Sequence, residues 1–229
     1  MSDRLSRAET RGLLAEHYSD AYKGAIKHDS PEKSRVSMNQ RILGLAAEGI
    51  LGKRVLSIGA GRQMLERQLL KHAGNKKGLM EGLRVVTMDI ARIAARNLFA
   101  KKYGVEHTRA DAVALPYPDN QFGLVVSNHA IDFAPQEAYG EVRRVLAPGG
   151  KAIFYFHHPS MLEAIDWVKN RGVNKLWQYL KDSRVLLENE EQIRDRLAKY
   201  GLEVEEVKLN TDGMDQWWEV AAHKPGATE

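Results

Sequence analysis

The stretch Arg54-Val55-Leu56-Ser57-Ile58-Gly59-Ala60-Gly61 decides how the chain is read. Val55–Ile58 is a short apolar run without helical period, and glycines follow at once; together they mark a buried strand ending in a tight turn. Outward from it the same alternation repeats. Met64–His72 reads as a helix, Arg84–Met88 as a strand closed by Asp89, Ala91–Tyr103 as a helix and Val105–Arg109 as a short extended segment. Leu115-Pro116-Tyr117-Pro118-Asp119-Asn120 is a turn-rich loop. Leu124–Ser127 is a buried-type strand, Gln136–Leu146 a helix stopped at Pro148-Gly149-Gly150, and Ala152–Phe156 a strand. Strands alternating with helices of this length predict an α/β fold, a parallel sheet with helices on both faces.

The flanks differ. The first 50 residues read as helices, near Arg4–Ala21 and over Met38–Glu48, joined by a linker at Lys27–Lys33 in which Asp29-Ser30-Pro31 signals a helix start. After His157-His158-Pro159 the alternation loosens; Met161–Lys169 and Lys175–Lys181 read as helices of an insertion. Asn189–Tyr200 is a helix ended by Gly201. Leu202–Leu209 and Trp217–His223 are strands with no helix between them, hence an antiparallel hairpin at the sheet edge. The expected organisation is an N-terminal helical cap over 1–50 and a core over 51–229 carrying an insertion at about 157–188.

Composition narrows the chemistry. The chain has no cysteine, which excludes disulfides, thiolate-bound zinc, iron–sulfur clusters and a catalytic thiolate. No set of acids and histidines has metal-ligand spacing, so no metal is expected. No apolar run is long enough to span a membrane, and MSDRLSRAET lacks an apolar signal core, so a soluble, cytoplasmic protein is expected. The formal net charge is +4. Residues 53–109 hold 13 Lys and Arg against only Glu66, Glu81, Asp89 and Glu106. Such a segment is either a solvated helix surface or a face for nucleic acid or phosphates.

In open parallel sheets, ligands bind beyond the carboxyl ends of the strands. Gly59 and Gly61 end the first strand, and Asp89 ends the second. A carboxylate there can accept from both ribose hydroxyls, or it can cap the following helix, and the two roles are compatible. The dinucleotide fingerprint wants a small third residue where Met64 stands, and Gln63 also departs from it. Asp89 lies 28 residues beyond Gly61, against the roughly 20 of that fingerprint. A nucleoside without a pyrophosphate fits better.

Residues 53–156 resemble the class I S-adenosylmethionine-dependent methyltransferases, in particular the group that includes ubiquinone-pathway and other small-molecule enzymes. Arg54–Gly61 resembles that family's first motif and Val85–Ile90 its second. Asp111-Ala112 with Leu115–Phe122 is similar to its acidic loop, Ser127-Asn128-His129-Ala130 to the end of its fourth strand, and Glu141–Gly150 to its approach to the fifth. The tail, Glu190–Gly201 and Trp217–Pro225, is similar to the family's last helix and hairpin. The resemblance implies a Rossmann-like seven-stranded sheet, mostly parallel, with an antiparallel C-terminal edge hairpin, and S-adenosyl-L-methionine as cofactor. It also implies roles. Gly59, Ala60 and Gly61 would approach the methionine and ribose, Asp89 would hold the ribose, and Ile90 would pack on the adenine. Asp111 and the Ala112 amide would meet the adenine edge. Asn128 and His129 would lie near the sulfonium, and Tyr18 would fold over the site or lie on an ordinary helix face. Three positions depart from the family: Ser57 replaces an acid, Gln63 a third glycine, and Gly123 an aspartate. Ser57 brings no charge to the cofactor's ammonium, and Gln63 would narrow the pocket or add a polar contact.

The sulfonium carries the hard chemistry; the protein must align an acceptor and exclude water. Where a base is needed, His129 and His157 are the candidates, against the alternative of positioning or surface histidines. His157 and His158 are adjacent, so in an extended segment they face opposite ways. Without a thiolate, attack at carbon-5 of pyrimidines is excluded. Asn128-His129-Ala130-Ile131 in place of an Asn/Asp-Pro-Pro motif argues against exocyclic base amines. The expected acceptor is an O, N or C atom of a small molecule. An RNA methyltransferase using the basic 53–109 face and a non-catalytic S-adenosylmethionine-binding module are the alternatives. Tyr18, Tyr22, Met161, Trp167, Trp177 and Tyr179 would line a cover over the site or pack the insertion. The oligomeric state is left open.

Overall fold

The computed structural model describes residues 33–49, 54–74, 84–92, 104–160, 186–212 and 215–226, with the single positions 9, 12, 15 and 16. Tyr18, most of the predicted first helix, most of the helix after Asp89 and residues 161–185 of the predicted insertion lie outside them. The elements in chain order are α1 (Lys33–Ala47), β1 (Arg54–Ile58), α2 (Met64–Gly74), β2 (Arg84–Asp89), β3 (Glu106–Arg109), β4 (Phe122–Asn128), α3 (Glu137–Val145), β5 (Leu146–His157), α4 (Glu190–Lys199), β6 (Glu203–Asp212) and β7 (Asp215–His223). A single 3-10 turn, Ile131–Phe133, follows β4.

The seven strands form one sheet in the order β3-β2-β1-β4-β5-β7-β6. The first five pair in parallel. β7 runs antiparallel between β5 and β6, so the C-terminal hairpin is entered from the outer strand and returns inward. Buried runs along β1, β2 and β4 show that both sheet faces are covered. Side chains along a strand alternate between faces, and the core divides accordingly. On one face Val55, Leu124, Val126, Ile153 and Tyr155 pack with Met38 and Ile42 of α1 and Leu65 and Leu69 of α2. On the other, Leu56, Ile58, Val86, Val125 and Phe154 pack with Tyr139 and Val142 of α3 and Ile193 and Leu197 of α4. Each fully buried side chain of this size contributes about 1.5–3 kcal/mol, which is why α1 stays seated through Met38 and Ile42.

Polar contacts complete that seat. Ser37 Oγ lies 2.9 Å from the Tyr155 hydroxyl, and Arg41 donates to Glu219 and Glu206 at 2.6 Å each. The outer strand β6 is largely exposed and carries Glu203, Glu205, Glu206 and Lys208, charges that blunt an open sheet edge.

Most boundaries shift by one to three residues from the sequence reading, and two differences are larger. α1 begins at Lys33, not Met38. β5 begins at Leu146, directly at the end of α3, and absorbs Pro148-Gly149-Gly150 as a register shift: Phe122 pairs with Leu146, and Leu124 next pairs with Lys151. Gly149 and Gly150 stay in the sheet because each exchanges a backbone hydrogen bond of 2.9 Å with Lys224. Among the described residues no helix is long and apolar enough to cross a membrane.

Candidate active site

β1 and β4 are neighbours while the chain passes from β1 outward to β2 and β3 before returning, so the strand order reverses between them. A crevice opens at the carboxyl ends of the strands on either side of that point. Here β1 turns through Gly59, whose φ is +69°; a Cβ on it would sit 2.1 Å from the Ala130 Cβ. Only glycine therefore fits at this close approach. Gly59 and Ala60 both donate to the Met88 carbonyl, at 2.9 and 3.1 Å. Gln63 is the third residue of this turn with positive φ, +63°. It takes a backbone conformation that a glycine would adopt without strain. Its side chain is fully buried and donates to the Thr87 hydroxyl at 2.8 Å, away from the crevice.

Asp89 closes β2. Its Oδ2 accepts from the Gly61 amide and its Oδ1 from the Ala91 amide, both at 2.8 Å. The carboxylate thus ties the glycine turn to the segment after β2, and each oxygen retains a lone pair. Burial pushes its pKa up, against the stabilising amides of Ala91, Gly61 and Ile90. Ala110 donates to the Asp89 carbonyl at 3.0 Å, which sets Asp111 beside it. Asp111 Oδ1 accepts from Val113 at 3.1 Å in a tight local turn.

Two cavities meet over this floor, both bordered by Gly59, Asn128 and His129. The first, about 150 Å³, is lined by Ile58, Met88, Asp89, Ile90, Asp111, Ala112 and the segment Ala130, Phe133–Pro135. The second, about 190 Å³, lies under the glycine turn and is lined by Ser57, Ala60, Gly61, Glu66, Arg35 and Arg62. The structure thus brings together Ser57, Gly59, Ala60, Gly61, Asp89, Ile90, Asp111, Ala112, Asn128 and His129; Gln63 and the candidate base His157 line neither cavity.

His129 has φ +57°, a strained conformation for a side chain of this kind, and its amide donates to the Tyr155 carbonyl at 2.9 Å. Burial, reinforced by the neighbouring His157, drives its pKa down to about 3. His129 is therefore a neutral ring at physiological pH and a weak base. His157 lies behind it, ring centroids 4.5 Å apart, and also stacks obliquely on Phe133 at 4.9 Å. Its Nδ1 is 2.7 Å from Asp132 Oδ2, and the same oxygen accepts from the His157 amide at 2.8 Å. Burial works to raise the Asp132 pKa, but the His157 ring and amide and the His129 ring outweigh it and hold the group below the usual carboxylate range. His158 turns the other way, to Ser160 Oγ at 2.7 Å and the Trp218 ring at 5.8 Å.

Two buried acids escaped the sequence reading: Glu66, which lines the second cavity, and Asp132, which holds His157 behind His129. Each is an acid set among apolar neighbours at the period of its element: Asp132 between Ile131 and Phe133, and Glu66 on the face of α2 that carries Leu65 and Leu69. An ionisable residue on a core-facing stripe is the signal that could have found both. Among the described residues no group of His, Asp or Glu is arranged to hold a metal ion.

Residues 54–154 match a family described as a methyltransferase domain. The sheet order and the crevice agree with that match. Over residues 54–154 the chain is thus similar to methyltransferases. Across 107 residues the chain is 37% identical to a demethylmenaquinone methyltransferase of Thermus thermophilus, covering 44% of this chain and 46% of that protein. It is 31% identical over 105 residues to a sterol 24-C-methyltransferase of Gibberella zeae, 43% of this chain and 26% of the relative. The chain thus spans less than half the length of these two curated relatives. A solved 1,6-didemethyltoxoflavin-N1-methyltransferase of Burkholderia thailandensis, with bound S-adenosylhomocysteine, superposes with a TM-score of 0.70 at 14% identity, over 98% of this chain and 93% of that one. The fold shared with that structure therefore extends beyond residues 54–154.

Proposed function

We propose that the protein is an S-adenosylmethionine-dependent methyltransferase acting on an O, N or C atom of a small molecule. One observation carries this reading. The crevice at the β1/β4 reversal joins a glycine cradle that a single Cβ would fill to acids at the ends of two successive strands, the buried Asp89 and the half-buried Asp111. Gly59 and Gly61 bring main chain against the ligand, Asp89 accepts from the ribose hydroxyls, Ile90 covers one adenine face, and Asp111 with the Ala112 amide meets the adenine edge. Asn128 Oδ1 and His129 Nδ1 are buried without hydrogen-bond partners among the described residues, at the border of both cavities, where they could position a ligand. When bound, the cofactor supplies an electrophilic methyl group.

The chain's own residues hold the acceptor and, for acceptors that lose a proton, remove it. His157 is the better base of the two candidate histidines, because Asp132 fixes its Nδ1 and leaves Nε2 to accept, whereas His129 is held neutral and weakly basic. Asp132 is a positioning residue in this scheme. The reading also assigns acceptor choice to the N-terminal segment 1–50 and the insertion 157–188, since residues outside the common core of such scaffolds usually carry specificity. Tyr18 is assigned to that cover. A cytoplasmic setting belongs to the same proposal, since a cysteine-free chain needs no oxidising compartment.

The test is transfer of a labelled methyl group to a panel of quinone, phenol, amine and heteroaromatic acceptors, with transfer RNA as a comparator. For an acceptor methylated with proton loss, His157→Gln and Asp132→Asn should each lower kcat by about 10²–10⁴-fold while leaving S-adenosylhomocysteine affinity within a few-fold. Transfer to RNA alone contradicts the small-molecule assignment. Unchanged kcat in both variants removes His157 as the base.

A further inference from the structure

The cavity under the glycine turn contains a carboxylate without a cationic partner among the described residues. Glu66, in the first turn of α2, is 2% exposed, and no described lysine, arginine or histidine donates to it; the Ser57 hydroxyl stands beside it. Arg35 and Arg62 border the same cavity but give it no hydrogen bond. An ionised carboxylate buried in this way is unfavourable until a cation reaches it. Burial accordingly pushes its pKa up to about 7, with the Asp89 charge adding to the rise and the Ser57 hydroxyl and the α2 backbone opposing it. The cavity thus offers one carboxylate and two guanidinium side chains, the complement of an α-amino acid zwitterion. Ser57, which supplies no charge of its own, stands on β1 in the same cavity.

We propose that Glu66 is the anionic partner of the ammonium on the cofactor's methionine end, a carboxylate delivered from α2 to the cavity in which β1 presents only Ser57. The inference rests on the cofactor assignment above, and the experiment separates the two. Calorimetric titration compares S-adenosylhomocysteine with 5′-methylthioadenosine, which keeps the adenosine and the sulfur but has neither ammonium nor carboxylate. Glu66→Gln should weaken S-adenosylhomocysteine binding about ten- to a hundredfold. It should leave 5′-methylthioadenosine within about twofold, and adding Ser57→Asp to Glu66→Gln should restore most of the loss. Equal affinities of wild type and Glu66→Gln for S-adenosylhomocysteine overturn the proposal, as does an equal loss for both ligands. If the wild type binds neither ligand, the cofactor assignment itself fails.

A pH series on the wild type decides the matter even if Glu66→Gln does not fold. The ionisable groups around Glu66 are Asp89 at the end of β2, Arg35 from α1, Arg62 from the turn and His129 after β4. Among these, His129 has a pKa of about 3 and stays neutral across the range tested. Asp89 faces the adenosine end and acts on both ligands. The ratio of the two affinities therefore reports Glu66, which must lose its proton to receive the ammonium. That preference for S-adenosylhomocysteine should fall about tenfold from pH 8 to pH 6. A ratio constant across that range contradicts the proposal.

Discussion

At the scale of single residues, the crevice is organised by a few groups whose conformations are unusual for their type. Gly59 admits Ala130, and Asp89 joins two backbone amides that belong to different segments. Asp119, by contrast, is 69% exposed and pairs with Arg144 at the surface. Asp89→Ala should therefore weaken S-adenosylhomocysteine binding by at least about tenfold, since hydrogen bonds to a charged acceptor are lost together with the clasp on the turn. Asp119→Ala should stay within about twofold, as expected of a surface ion pair. Equal losses in a calorimetric titration would reject the ribose role of Asp89. Much of this scale was legible in the sequence, because glycines and an acid at strand ends carry the same meaning in any sheet of this type. Gln63 was not, because sequence shows a polar side chain but not its φ; the residue serves the turn through its backbone and turns its amide to Thr87. Glu66 and Asp132 were hidden for a different reason, since burial of an acid depends on helix phase and on how β4 and β5 converge.

At the scale of elements, the loop Leu115–Asn120 shows how one side chain can hold an irregular segment. Arg144 of α3 donates to the carbonyls of Leu115 and Tyr117, to Asp119 and to Glu141, at 2.7 to 2.9 Å. Glu141 in turn accepts from the Leu115 amide at 2.8 Å. The fork of five N–H groups is what spans these acceptors, and lysine cannot reproduce it. Arg144→Ala should cost about 1–2 kcal/mol of stability, the lower range for charged hydrogen bonds because the site is partly exposed to water. Arg144→Lys should recover less than half of that. Urea midpoints at unchanged slope measure both, and full recovery by lysine would refute the fork argument. The strands and helices of the core were legible from period and punctuation. The direct passage from α3 into β5 was not, because Pro148-Gly149-Gly150 signals a break in any local reading. Pairing with Lys224, 74 or more residues downstream, keeps the segment in the sheet.

At the scale of the whole molecule, two features make one site. The strand order reverses between β1 and β4, and α1 closes against β5 and β7 through Met38, Ile42 and Arg41. The parallel sheet and its antiparallel edge hairpin follow from the alternation of elements, so the fold was readable before any coordinate. What the acceptor is could not be read at that stage, because the segments that would select it, 1–50 and 157–188, carry no motif with a fixed chemistry. The crevice suits an S-adenosyl nucleoside and not a dinucleotide. Its turn has Gln63 and Met64 where a pyrophosphate would need small residues, and its second cavity is shaped by Glu66, Arg35 and Arg62. Side-by-side calorimetric titration of the full chain with S-adenosylhomocysteine and with NADH tests this most directly. S-adenosylhomocysteine should bind saturably and at least about a hundredfold tighter than NADH, a difference of about 2.7 kcal/mol. Tighter binding of NADH, or no binding of S-adenosylhomocysteine at all, would contradict it.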